Sequence, residues 1–330
     1  MHPSSQNVWG VRACPVRTPF LSQKDRGGKT IVKIKQSRAG RKGLYGLLFV
    51  LPFIAGLAFF RLYPFIKTFY TSLTNTNMMT FTSSFVGLAN YQRLLSDPTF
   101  YSSIVVTVKI WAMNIVPRLG LALLCAVVFA QGKIRGKQFF KIVYYFPNLV
   151  NASTVAVLAS LLFNWQTGTV NRVLLSLGLI SEPINWLGMP STAQGVVAGI
   201  IWWMWFGYSA VMFTTGILSV PGEINEAGII DGANAWQRFW HITFPLIRPT
   251  FAYVFLTTLV GGLQNFEIPR VITDGIGSPN KALLTMTLQM YILAFRSMQQ
   301  GYASAYAMGI FLFTAVVAAF SYRFLNKKTY

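Results

Sequence analysis

The sequence is poor in the residues that enzymes and metalloproteins use. Among 330 residues it has two cysteines, two histidines and eight acidic residues. Cys14 and Cys125 do not suggest a disulfide framework, and His2 and His241 have no cysteine cluster that would complete a metal-ligand spacing. No GxxxxGK[ST] run for binding ATP phosphates is present. We therefore predict no catalytic residue, metal or cofactor in this chain.

Charged residues are also scarce, which indicates a membrane protein. They make up 11% of the chain against 53% hydrophobic residues, and the mean hydropathy is +0.48. Alternating strands of about ten residues are absent, so a helical bundle is expected rather than a barrel. The predicted fold is an all-α integral membrane protein with six transmembrane helices. The six apolar runs are residues 43–65, 104–129, 142–163, 193–217, 250–269 and 303–325.

The basic residues divide according to this topology. Nineteen of the 28 lysines and arginines fall on one side of the six predicted spans and seven on the other. The positive-inside rule then places both termini in the cytoplasm. The net charge of +20 is thus a topological signal and predicts no nucleic-acid partner. Residues 1–42 are expected to be a basic cytoplasmic arm without regular structure. One interpretation is that the arm is attracted to anionic lipid. The alternative is that it is a tail without function or the product of a start codon placed too early.

Residues 218–249 form a polar loop that cannot span a membrane. Pro221 and Gly222 mark a helix start, Asp231 and Gly232 form a turn, and Asn234 can cap a second short helix. Two prolines then stop the helix and direct the chain back to the membrane. One apolar face is predicted from residues recurring at three- and four-residue steps: Ala227, Ile230, Ala233, Trp236 and Phe239 or Trp240.

This stretch, EAGIIDGANAWQRFWHITFPLIRP, resembles the EAA signature of binding-protein-dependent ABC importer permeases in the longer version of the carbohydrate-uptake subclass. It departs from the pattern at Gly228, where alanine is usual, and at Phe244, where leucine is usual. The tract GLANYQRLLSDPTF resembles a segment after the first span of such permeases. Asn164, the turn at 168–171 and Trp186 with Leu187 resemble their outer loop. The resemblance covers residue 43 to the end.

The resemblance implies a type I ABC importer permease fold for residues 43–330, in a bacterial cytoplasmic membrane. It implies four kinds of contact: a second homologous permease, two ATP-binding subunits that use the ATP and Mg, an extracytoplasmic solute-binding protein, and membrane lipid. The 218–249 loop would dock on an ATPase; the alternative is an amphipathic helix lying on the bilayer. The implied coupling residues are Glu226, Ala227, Asp231, Gly232, Ala233, Trp236, Phe239 and Pro245.

Amides and aromatic rings within the spans suggest a sugar pathway, because amides pair with hydroxyl groups and flat rings cover a pyranose. Asn148 and Asn151 are expected to share a face, and Asn265 shares one with Thr258. Interhelical packing is the alternative role. Four of the candidates also match sugar-contact positions of the maltose-type permease: Asn148, Trp205, Tyr208 and Asn265. The candidate pathway residues are Asn148, Asn151, Trp205, Tyr208, Gln264 and Asn265.

Two cations lie in the second span. Lys109 can extend toward the interface, and Arg118, on the opposite face, is expected to be structural. If Arg118 faced the pore, an anionic polyol such as a glycerol phosphate would become the expected substrate.

The predicted function is that of the transmembrane subunit of an ATP-driven sugar importer. The alternatives are a membrane-bound enzyme, for which acid, histidine and metal clusters are missing, and a secondary transporter or channel. The latter predicts inverted repeats, broken helices and intramembrane acids, none of which the sequence shows.

Overall fold

The computed structural model describes residues 49–131 and 135–325, together with two short strands near the N-terminus. The strands β1 (Gln23–Lys24) and β2 (Thr30–Ile31) pair antiparallel. The prediction of an unstructured arm otherwise falls on residues outside the described ones. By its contacts the chain divides into two units, Met1–Pro64 and Phe65–Tyr330. The first described helix, α1 (Phe49–Ser72), contains a π turn at Ala58–Leu62.

The second unit is helical between its loops, which confirms the predicted all-α fold. Its helices are α2 (Ala89–Ser96), α3 (Pro98–Gln131), α4 (Lys137–Tyr145), α5 (Ala152–Leu162), α6 (Thr169–Ser176), α7 (Pro190–Leu218), α8 (Gly222–Ile230), α9 (Ala235–Arg238), α10 (Phe244–Leu246), α11 (Arg248–Leu263), α12 (Glu267–Ile272), α13 (Met286–Tyr291) and α14 (Gln300–Leu325).

Four described helices, α1, α3, α7 and α14, are long and apolar enough to cross a membrane. Two further stretches pass the same test as bent helix pairs, which gives up to six spans. The positions of the six predicted runs agree with these helices. Hydropathy reports only the length of an apolar run. The sequence therefore predicts that the helices exist and in which order they occur, but not where they bend.

The third predicted span is not one straight helix. Residues 137–149 and 152–162 meet at an angle of 92°. Pro147 lies in a 3₁₀ turn, Phe146–Leu149, where its missing N–H breaks the hydrogen-bond ladder. Asn151 has extended backbone angles, and its side chain accepts a hydrogen bond from the N–H of Ser153, which starts a new helix. The expectation that Asn148 and Asn151 share a helical face is therefore wrong.

The fifth span is also interrupted. The helix α11 ends at Leu263, residues 264–266 are not helical, and α12 begins at Glu267. Two glycines, Gly261 and Gly262, precede the break and favour helix termination by their conformational freedom. The sequence-based expectation that no helix is broken is therefore wrong in the third and fifth spans. The bend of 70° before α11 agrees with the prediction that prolines redirect the chain there.

The helices α3 and α7 form the main packing pair of the second unit. Three apolar clusters lie along α3, and small residues such as Ala122 and Ala210 let the two helices approach closely. A buried amide fixes their register, since Asn114 Nδ2 donates to the carbonyl of Ala198 at 3.2 Å. The helix α14 is tied to the start of α3 by a hydrogen bond of 2.6 Å between Ser103 and Tyr306.

Candidate functional site

A cavity of about 950 Å³ lies between α3, α7, α11 and α14 and is lined also by residues 264–268. Each helix contributes one face. On α3 the cavity-lining residues include Trp111, Asn114 and Arg118, which are three and four positions apart as one helical face requires. The volume falls in the range of about 300–1,000 Å³ that is usual for small-molecule sites.

The wall of this cavity holds an unusual share of polar atoms without a partner. Among the described residues, nine buried side-chain polar atoms have no hydrogen-bond partner in the protein, and five of these belong to cavity-lining residues. Buried polar groups are normally paired, so five unpaired ones in residues around one cavity distinguish this cavity from an apolar gap between helices. The atoms are Trp111 Nε1, Thr258 Oγ1, Asn265 Nδ2, Thr287 Oγ1 and Thr314 Oγ1.

The break in the fifth span places its amides in the cavity. Gln264 and Asn265 lie in the unwound segment and both line the wall. The hydroxyl of Thr285 donates to the backbone carbonyl of Asn265 at 2.9 Å, which fixes the segment while leaving the amide nitrogen of Asn265 unpaired. Backbone freed from a helix at membrane depth is stable only where protein or a cavity lines it, and both conditions hold here.

The backbone of α11 at Gly262 lies close to the indole ring of Trp111, and both residues line the cavity. A Cβ atom at Gly262 would collide with the indole of Trp111. Only glycine at this position therefore lets the indole lie against α11. Trp205 and Tyr208, on α7, also line the cavity, and their rings meet edge to face at 6.2 Å. Aromatic faces next to free amides and hydroxyls are what a sugar requires.

Four of the six predicted pathway residues thus line one cavity: Trp205, Tyr208, Gln264 and Asn265. Asn148 and Asn151 are not among its lining residues. Asn148 belongs to the 3₁₀ turn and its Nδ2 atom has no partner, whereas Asn151 caps α5. That any of these side chains contacts a solute stays a prediction.

The cavity also contains residues that sequence reasoning did not select. Arg118, for which the sequence favours a structural role over a pore-facing one, lies in the cavity wall. Thr287 and Thr314 carry no sequence signal, because single threonines in apolar helices give no pattern. The spacing of Trp111, Asn114 and Arg118 along one face of an apolar run was the available signal.

The 218–249 loop has the predicted turn. The helix α8 ends at Ile230, and Gly232 follows with φ of +78°, a left-handed conformation that favours glycine. Asn234 caps α9 with a full capping box, because its side chain accepts from the N–H of Gln237 and the Gln237 side chain accepts from the N–H of Asn234. A π turn, Phe239–Thr243, then continues the helix toward α10.

The two short helices are held together by packing at Gly228 and by Arg238. A Cβ at Gly228 would lie 2.7 Å from Cδ1 of Ile242, so the glycine that departs from the EAA pattern lets Ile242 pack tightly. Arg238 donates through Nε to Asn225 Oδ1 at 3.1 Å and through a terminal nitrogen to the carbonyl of Ala233 at 2.8 Å. The loop is therefore ordered by its own contacts.

The apolar residues of this loop do not form the single face that the sequence predicts. Phe239 is buried against Trp240 and Phe244, whereas Trp236 is 70% exposed and Ile230 is 86% exposed. A turn separates Ile230 on α8 from Trp236 on α9, so the three- and four-residue spacing does not continue as one helical face across the loop. Of the other predicted coupling residues, Ala233 is half-buried, and the exposed ones are Glu226, Ala227, Asp231, Gly232 and Pro245.

The tract of residues 164–187, which resembles an outer loop of the family, is built around Asn171. Its Oδ1 atom accepts from the indole N–H of Trp186 at 2.7 Å, and its Nδ2 atom donates to the carbonyls of Trp165 and Ile184. The buried amide thus connects both ends of the loop, which explains why an asparagine and a tryptophan occur together in it.

A polytopic helical protein with a polar-walled cavity among its spans and an ordered helical loop at the membrane edge has the build of a membrane permease. The chain belongs to the family described as the binding-protein-dependent transport system inner membrane component, whose model matches residues 42–329. It is therefore a multi-pass inner-membrane transport protein.

Relatives and solved structures agree with this assignment. The chain is 32% identical over 287 residues to the lactose transport system permease protein LacF of Rhizobium radiobacter, covering 86% of this chain and 95% of that one. It is 33% identical over 282 residues to the multiple sugar-binding transport system permease protein MsmF of Streptococcus mutans serotype c, covering 84% and 93%. The fold matches a chain of a bacterial ABC transporter for alginate with a TM-score of 0.72 at 19% identity, over 88% of this chain and 98% of that chain.

Proposed function

We propose that this chain is the transmembrane subunit of an ATP-driven importer that passes a sugar or related polyol from an extracytoplasmic binding protein into the cytoplasm. The observation that carries the proposal is the cavity wall, where rings of Trp205 and Tyr208 stand beside the free amide of Asn265 and free threonine hydroxyls. The names of the relatives, permeases for lactose and multiple sugars, support the same class of solute.

The exposed part of the 218–249 loop is the proposed contact with an ATP-binding subunit. Trp236 offers a large exposed ring of the kind that anchors interfaces, and Glu226 is exposed and can accept a charge-assisted bond from a basic group. Phe239 is buried and packs against Trp240 and Phe244 within the loop instead. ATP and Mg are then used by two ATP-binding subunits, and a second permease completes the pathway. The basic asymmetry supports termini in the cytoplasm.

One second function has specific support. Broken helices and a carboxylate in the cavity wall, that of Glu267, are marks of secondary transporters. The carboxylate is exposed at the outer end of the fifth span, where proton coupling across the membrane is not expected. The energy source of transport separates the two functions.

The test is uptake by proteoliposomes that contain this chain with its partner permease and ATP-binding subunits, supplied with the binding protein and a panel of labelled sugars. We expect ATP-dependent accumulation of at least one sugar. Asn265→Ala should lower uptake at least about tenfold while the ATP-binding subunits still co-purify. Asn185→Ala, an amide loss in an exposed outer turn, is the matched control and should transport normally. Absence of ATP-dependent uptake of every sugar would contradict the proposal.

A further inference from the structure

We propose that the solute carries a negatively charged group, a carboxylate or a phosphate on a sugar or polyol, and that Arg118 binds this group. The inference rests on the proposed function, since it assigns the chemical class of the solute that the cavity receives.

Arg118 is deep in the membrane-spanning part of the chain. It lies 13 residues before the end of α3 at Gln131, which corresponds to about 20 Å of helix. Its side chain is 6% exposed and belongs to the cavity wall on the same helical face as Trp111 and Asn114. A guanidinium at this depth is charged, because arginine does not give up its proton in proteins.

The positive charge has no negative partner among the described residues. Arg118 Nε donates to Ser209 Oγ at 3.0 Å, and the guanidinium carbon stands 5.7 Å from the centre of the Trp205 ring. Glu267 lines the same cavity, but the described residues contain no ion pair between the two. Ser209 and Trp205 are both neutral, so they hold the guanidinium in place without balancing its positive charge. A buried charge without a counter-charge is energetically unfavourable.

The remaining guanidinium N–H groups are available to a solute. Of its five N–H donors, only the one on Nε has a side-chain partner in the described structure. The terminal nitrogens form a planar fork that fits the two oxygens of a carboxylate or phosphate. Ser209 and Trp205 restrict the orientation of the fork in advance, so little conformational entropy is lost on binding.

The neutral polar atoms of the cavity complete the site. Hydroxyl groups of the same solute can pair with Thr258, Asn265 and Thr314, which line the wall and whose side-chain polar atoms have no partner in the protein. The site therefore combines one anion-binding fork with several hydroxyl-binding groups and aromatic surface. A neutral sugar would satisfy the second set and leave the guanidinium without a counter-charge; an acidic sugar satisfies both.

The experiment compares matched pairs of labelled solutes that differ only in the acidic group: glucose with glucuronate, maltose with maltobionate, and glycerol with glycerol 3-phosphate. Equilibrium binding is measured on the assembled transporter without its binding protein, and ATP-driven uptake is measured with it. We expect the wild-type transporter to bind the acidic member of at least one pair about tenfold or more tightly than the neutral member. Arg118→Gln should abolish this preference, and Arg118→Lys should retain part of it.

Lys109→Gln is the matched control, because Lys109 is a cation on the same helix, is exposed, and is not part of the cavity wall. It should keep the full preference for acidic solutes. Equal binding of both members of every pair by the wild-type transporter would overturn the inference, and this measurement needs no variant to fold. An equal loss of acidic and neutral binding in Arg118→Gln would also overturn it. If acidic solutes bind through Arg118 but nothing is taken up with ATP, the proposed function fails and the binding assignment stands.

Discussion

Gly232 holds the turn between the two short helices of the 218–249 loop at φ of +78°, and no atom lies within 4 Å of the position where a Cβ would be. A substitution there is resisted by backbone conformation and not by a clash, and a β-branched residue costs about 1–2 kcal/mol. Gly232→Val should therefore misalign the helices without unfolding the bundle.

We expect Gly232→Val to reach the membrane in near-normal amount but to lose both co-purification of the ATP-binding subunits and substrate uptake. Gly232→Asn is the control, since asparagine tolerates positive φ, and it should retain most of both. Normal co-purification and uptake by Gly232→Val would show that this loop is only a surface helix.

Trp236 and Phe239 are three residues apart and differ in burial, so they separate docking from folding. Trp236→Ala removes an exposed ring and should leave the midpoint of thermal unfolding unchanged while uptake and co-purification fall. Phe239→Ala removes a ring that is 9% exposed and should cost about 3–5 kcal/mol of stability. Thermal unfolding and pull-down of both variants check this. A stability loss in Trp236→Ala, with Phe239→Ala unaffected, would reverse the assignment of the two rings.

The roles of single residues could be predicted from the sequence where they depend only on neighbouring residues in the chain. Asn234 as a cap and Gly232 as a turn residue follow from side-chain and backbone preferences that act within three residues. The inward position of Phe239 depends on how the loop folds onto Trp240 and Phe244, and the cavity position of Arg118 depends on packing between distant helices. No pattern in the local sequence reports either position.

At the scale of elements, apolar length predicted where helices lie but not where they break. Hydropathy does not change when Asn151 caps a new helix or when Gln264 and Asn265 leave the helical ladder. The cavity-lining side of the fifth span was nevertheless predictable. Thr258, Gly261 and Asn265 repeat at helical spacing, and all three line the cavity.

Asp97, the residue between α2 and α3, is connected to α14 by a side-chain hydrogen bond from Tyr302. The hydroxyl of Tyr302 donates to Asp97 Oδ2 at 2.6 Å, the backbone N–H of Thr99 donates to Asp97 Oδ1 at 2.8 Å, and the guanidinium of Arg93 stacks 3.9 Å above the Tyr302 ring. Burial raises the pKa of Asp97, but the hydrogen bonds from Tyr302 and Thr99 and the charge of Arg93 outweigh it, so the pKa is lowered.

The lowered pKa of Asp97 determines how its contribution depends on pH. A carboxyl whose pKa is lower in the folded protein stabilises it above the unfolded pKa of about 3.9, and loses this effect as the pH falls through the folded value. Asp97→Asn should therefore lower the Tm by a few degrees at neutral pH, and the difference from wild type should shrink below pH of about 4. A difference in Tm that is independent of pH would contradict an ionised role.

At the scale of the whole molecule, orientation follows from charge and can be measured with two exposed sites. Ser176 is the last residue of α6 and Gln138 is the second residue of α4, and both are exposed. In a background without Cys14 and Cys125, a cysteine introduced in place of Ser176 should react with an impermeant thiol reagent on intact cells, and one in place of Gln138 only after permeabilisation. The opposite pattern would invert the topology.

The central claim is that this chain moves its solute by coupling to ATP hydrolysis, and the energy source of uptake tests it most directly. Uptake should be measured in cells or vesicles where a protonophore collapses the proton gradient while ATP is maintained, and again where ATP is depleted while the gradient is kept. The account predicts that uptake by wild type and by Glu267→Gln continues in the first condition and stops in the second. Uptake that stops with the gradient while ATP is maintained would contradict it.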